Sequence, residues 1–68
     1  MITLGEALPL EMRRVRDEVL PAYLEIGTAG AFAVAGMRAD LDSAAKALAE
    51  GDVAAMIVVY ESLKEWHT

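Results

Sequence analysis

Apolar residues recur along most of this chain at steps of three and four, the spacing of one face of an α-helix. Leu8, Met12, Val15, Val19, Ala22 and Ile26 form the first such series and predict a helix over residues 8–26. Pro9 falls where a first-turn proline is tolerated. Pro21 falls inside the helix, where it removes one hydrogen bond and crowds the carbonyl of Asp17. The apolar register continues across it. The expectation is therefore a kinked helix, with a break into two short helices as the rival. Residues 1–7 show no periodicity and read as a flexible arm ahead of a single helical domain, 8–68.

Gly27 reads as the left-handed stop of the first helix and Thr28 as the N-cap of the next, which runs over 28–50. Its seam is Gly30, Val34, Met37, Leu41, Ala44 and Leu48, a heptad-like stripe that packs lengthwise against a neighbour. Arg38, Asp42, Lys46 and Glu50 lie at four-residue steps on another face, expected to be solvated and knit by weak ion pairs. Gly51-Asp52 then stops one helix and caps another, 52–66. So short a connection folds the two into an antiparallel hairpin. The third helix carries Val53, Met56, Ile57, Tyr60, Leu63 and Lys64 on one face, with Ala55, Val59, Ser62 and Trp66 beside it. Together these cover more than half its circumference, more than one neighbour can bury. Met56-Ile57-Val58-Val59-Tyr60 is also β-prone. No second strand is present to pair with it, and its flanks are helical in pattern, so helix is the reading.

Composition sharpens this all-α, three-helix picture. Hydrophobic residues make up 56% of 68 residues, above the usual ~45–50%. A domain this small buries only about 60% of its extended surface. Small folds are commonly helped by disulfides, a metal or oligomerisation. Cysteine is absent and His67 is the lone histidine, so disulfides and a closed zinc site fall away. A homodimer is the aid that remains. No cofactor is expected.

The longest uncharged run, Ile26 to Met37, is well short of the ~20 residues of a membrane span. It is internal and follows Glu25, unlike a secretory leader. A soluble, cytoplasmic protein away from membranes is expected. The net charge of −5 is uneven. Residues 1–38 set four arginines against five acids. Residues 39–68 set Lys46 and Lys64 against Asp40, Asp42, Glu50, Asp52, Glu61 and Glu65. An acidic half repels nucleic acid and attracts basic protein surfaces, so direct nucleic-acid binding is not expected.

Candidate chemistry is sparse. Asp17 and Glu18 are adjacent and diverge around a helix. Asp40 and Asp42 point roughly opposite ways, and Glu61 with Glu65 read as solvated surface. None forms the environment-split carboxylate pair that acid–base catalysis requires. Ser43 at mid-helix and His67 in a tail offer no rigid nucleophile and base. Gly27, Gly30 and Gly36 match neither a Walker nor a dinucleotide pattern, and no strand precedes them. The expectation is no catalytic residue. The small residues at the start of helix two instead make it slim. Phe32 projects from that stretch, as a core plug or as an anchor for a partner; core is the reading taken. Arg13, Arg14 and Arg16 form the one basic cluster, at ion-pair spacing for Arg13–Asp17 and Arg14–Glu18. Arginine is nevertheless frequent in binding hot spots.

The candidate core or dimer-interface set is therefore Phe32, Val34, Met37, Leu41, Leu48, Met56, Ile57, Tyr60, Leu63 and Trp66. For Trp66, interface and intrachain core stand level. The candidate partner-binding set is Arg13, Arg14, Arg16, Asp40, Asp42, Glu61 and Glu65.

Glu50-Gly51-Asp52, Val53-Ala54-Ala55-Met56 and Tyr60-Glu61-Ser62-Leu63 resemble the hairpin of tetratricopeptide repeats, though one pair makes no solenoid. The run from Ile26 to Lys64 resembles small helical proteins of Mu-like transposable phages and prophages. Gly30-Ala31-Phe32, Met37-Arg38-Ala39-Asp40 and the hairpin from Gly51-Asp52 to Tyr60 carry that resemblance. It implies an accessory protein that binds and disables a host protein. The acidic hairpin suggests a basic, DNA-binding regulator as that target. A self-assembling structural or scaffolding component is the alternative.

Overall fold

The computed structural model describes residues 2–68 and is built of helices, with no strand among the described residues. The first helix, α1, occupies residues 4–25. It is α-helical over Leu4–Arg14, widens into a π turn over Val15–Val19, and is α-helical again over Leu20–Glu25. Helix α2 is Ala31–Glu50 and helix α3 is Val53–Lys64.

The expected arm is largely helix. Thr3 caps α1 by accepting the Glu6 amide at 3.3 Å while its hydroxyl donates to the Glu6 carboxylate at 3.1 Å. This is a Thr-x-x-Glu start of the capping-box kind. Met1 lies outside the described residues. The earlier start moves Pro9 beyond the first turn, where its lack of an N–H leaves the Gly5 carbonyl without its helical donor; both residues are exposed.

Pro21 does not break α1, which continues across it with a π turn just ahead. The π turn ahead of it closes with a Leu20 amide to Val15 carbonyl bond, one residue longer than the α pattern. Inserting that extra residue loosens the helix where the proline ring would otherwise meet a carbonyl. The apolar phase advances by one residue as a result. Val19 and Leu20 are both buried although adjacent, and the predicted Ile26 is turned out, 56% exposed.

Gly27 adopts φ +63°, as the stop reading requires. Thr28 does not cap α2: residues Gly27–Gly30 make a 3-10 turn and α2 begins at Ala31 without a side-chain cap. At the other turn, the Gly51 amide donates to the Leu48 carbonyl and the Asp52 amide to that of Ala47. With Gly51 at φ +64° this is a Schellman stop. Asp52 then caps α3 through the Ala55 amide at 3.1 Å.

The α2–α3 hairpin is antiparallel, since Asp40 meets Ser62 and Gly36 meets Trp66. Helix α1 runs alongside α3 in the same direction, with Arg14 reaching Leu63 and Tyr23 reaching His67. Leu8, Val15, Val19 and Leu20 of α1 meet Val34, Met37, Ala44 and Ala47 of α2 and Met56, Val59 and Leu63 of α3 in one core. That core is a single layer in a body only 15 Å thick at its thinnest, measured on Cα atoms.

Candidate protein-binding surface

The residues singled out from the sequence separate into three groups. Val34, Met37, Met56 and Leu63 are core, and Leu41, Leu48, Tyr60 and Trp66 pack partly buried against it. Phe32 and Ile57 are not core. Phe32 is 93% exposed at the start of α2, and Ile57 is 51% exposed. The core reading of Phe32 is therefore overturned. The helix begins later than Thr28, and its buried arc passes through Gly30, Val34 and Met37, about a third of a turn from Phe32 or more.

Four of the charged candidates are paired within the chain, and two of these, Asp40 and Arg14, reach across helices. Asp40 Oδ2 accepts from Ser62 Oγ at 2.6 Å and from Trp66 Nε1 at 2.8 Å. The Trp66 ring lies on the bare backbone of Gly36, where a Cβ would come within 3.0 Å of it. Trp66 thus takes the intrachain role. Arg14 is held by Glu11 at 2.9 Å and donates to the Leu63 carbonyl at 3.1 Å. There its charge faces the negative end of the α3 dipole.

The expected pairs Arg13–Asp17 and Arg14–Glu18 do not form, because the π turn disturbs the four-residue spacing around them. Arg16 instead holds Asp17 at 2.8 Å. Its hydrogen bond keeps the Asp17 carboxyl below the usual carboxylate range, against some desolvation and with lesser help from the charges of Arg16 and Arg13. Arg13, Asp42 and Glu65 are exposed, and Glu61 is exposed but paired with Lys64 at 3.2 Å. The Lys64 ammonium also sits 5.1 Å from the Tyr60 ring centre.

What the surface offers is apolar. Among the described residues, eight large hydrophobic residues are at least half exposed: Ile2, Leu10, Leu24, Ile26, Phe32, Val53, Ile57 and Val58. Val53 and Ile57 are four apart and share one line on the outside of α3, and Val58, about 100° round the helix from Ile57, widens that exposed strip into a broad apolar face. Val58 is the most open of them at 71%. Acidic Glu50, Asp52, Glu61 and Glu65 stand at the two ends of this strip. Phe32 follows the turn that carries Ile26, and Ala22, Tyr23, Ile26 and Thr68 line an open apolar groove at that end. Ile2, Leu10, Leu24 and Val58 lie outside every face assigned from the sequence. The readable signal for Val58 was a helix apolar all round, Val53 to Val59 with one charge-free side too many for a single core.

Among the described residues no three acidic, histidine or cysteine side chains gather to hold a metal ion. No helix there is long and apolar enough to cross a membrane. No family model, curated protein or solved structure matches the chain.

Proposed function

We propose that this chain is a non-catalytic protein-binding module that pairs with its own copy and inhibits a second protein by stoichiometric binding. The observation that carries the reading is the outward apolar surface. Eight large hydrophobics stand at least half exposed against eleven buried hydrophobic residues, among those described. Apolar surface on this scale in a small domain marks an interaction site. The acid-flanked strip Val53–Ile57–Val58 suits a partner whose apolar contact is ringed by basic residues. The resemblance of residues 26–64 to phage accessory proteins supplies the setting, a host cytoplasm, and a basic DNA-binding regulator fits the charge.

The test is capture of host proteins with the tagged chain beside the I57D/V58D variant. The reading expects a defined protein retained by the wild type, lost with the variant, and released as salt rises. Equal retention by both proteins would refute the role of the strip.

A scaffolding role is favoured by one further fact: exposed apolar residues lie on more than one face, Phe32 on α2 and Val58 on α3. Light scattering separates the two, a small discrete species for the inhibitor and large assemblies for the scaffold.

A further inference from the structure

The outer face of α2 carries four charges in strict alternation: Arg38, Asp42, Lys46 and Glu50, each four residues from the next. All four are exposed. The expected ion pairs among them are not made. The ion pairs among the described residues are Arg14–Glu11, Arg16–Asp17 and Lys64–Glu61, and none uses this ridge. Nor do its side chains make hydrogen bonds to other described residues.

Read from its other end, the order of signs inverts. The ridge is therefore complementary to itself reversed. We propose that a second copy of this chain docks on the outer face of α2 with its own α2 antiparallel, setting Arg38 against Glu50 and Asp42 against Lys46 of the copy, twice over. A parallel, in-register copy would place like charges together. This rests on the self-association in the function proposed above and adds its surface and direction.

The packing geometry agrees. Rows of residues four apart form ridges inclined to the helix axis, and two such ridges lie side by side when helices cross at about 50°. On either side of the charged ridge the α2 surface is low, with exposed Ala35 and Ala39 on one flank and Ala45 and Ala49 on the other. The aliphatic stems of Arg38 and Lys46 can lie over these alanines while their charged ends reach the copy. The strip on α3 and the Phe32 corner stay open for the second protein.

The experiment compares self-association by sedimentation equilibrium of the full chain and two variants, with circular dichroism confirming their helix. R38E/D42K turns all four contacts into like-charge pairs and should weaken the dimer at least about tenfold. R38E/D42K/K46D/E50R inverts the whole ridge and restores complementarity, so it should associate as the wild type does. It should also fail to mix with the wild type, since each would face its own signs. Rising salt should loosen the wild-type dimer.

Three results overturn the proposal in distinguishable ways. A wild type monomeric at every concentration removes the self-association itself. A wild-type dimer that R38E/D42K leaves unchanged removes only this surface. An inverted ridge that stays as weak as R38E/D42K removes the antiparallel direction.

Discussion

The two ends of the hairpin are held together by different means. At the Gly51-Asp52 end, everything is local: a left-handed glycine, two amides returned to the carbonyls of Leu48 and Ala47, and an aspartate cap. At the opposite end the local bonds, Glu65 amide to Ser62 carbonyl and Trp66 amide to Leu63 carbonyl, only finish α3, and what joins the helices is long-range. Asp40 gathers Ser62 and Trp66 across the hairpin, Arg14 reaches Leu63, and Tyr23 holds the His67 carbonyl at 2.8 Å. Gly30 there presses so closely on the Tyr23 carbonyl that no side chain fits between them. The difference shows that a short connection can rely on backbone caps alone, while an open end needs side chains from three helices to stay shut.

The comparison is broken most severely at Gly30. Gly30→Ala puts a Cβ into the Tyr23 carbonyl, with the Ile26 side chain 2.8 Å away. The rigid contact is backbone, so the expected loss is about 3 kcal/mol, read by chemical denaturation. Next comes Asp40→Ala, which leaves the Trp66 indole and Ser62 hydroxyl without their acceptor. Hydrogen bonds to a charged group make this about 2 kcal/mol. Trp66 fluorescence should shift toward that of exposed indole, whereas a variant at the turn end should leave the emission of the folded state unchanged. Asp52→Ala, at the turn end, removes one cap and should cost about 1 kcal/mol. If it costs more than Asp40→Ala, the division between the ends is wrong.

The smallest effect belongs to neither end. Asp17 has a lowered pKa in the folded chain, so its contribution is present above the usual carboxylate pKa and fades as pH falls through the lowered value. Stability measured across the acid range should lose a little of its pH dependence in Asp17→Asn. The pair is exposed and screened by solvent, so its effect should also shrink in salt.

The same division governs what can be read from the chain. The turn end was legible because its signals are contiguous: Gly51, Asp52 and the resumed helical pattern from Val53. The seam of α2 was legible for a related reason, since its periodicity is undisturbed over the whole helix. Helix α1 was read less well. The Thr3…Glu6 cap was a signal present and not used, which cost four residues of helix. The π turn has no such signature, and its extra residue turned Ile26 outward and undid two expected ion pairs. At the site, Asp40 and Arg14 read as available charges because their partners lie 26 and 49 residues away. Phe32 read as core because size favours burial, although the seam of Gly30, Val34 and Met37 already placed it on another side of the helix. The overall class, three helices around one apolar layer, survives these errors because each moves a residue around a helix without removing the helix.

The π turn leaves a mark on how this sequence can change length. It holds one residue more than an ordinary helix would need between Arg14 and Leu20, and so acts as slack in the winding. Removing one residue from within Val15–Val19 would close the winding to a regular helix and leave Leu20 and Tyr23 near the partners they now meet. The same deletion within Leu4–Arg14, where the winding holds no slack, would turn the two sides of the helix against each other by about 100°. The chain can therefore lose a residue at the π turn with far less damage than one turn earlier.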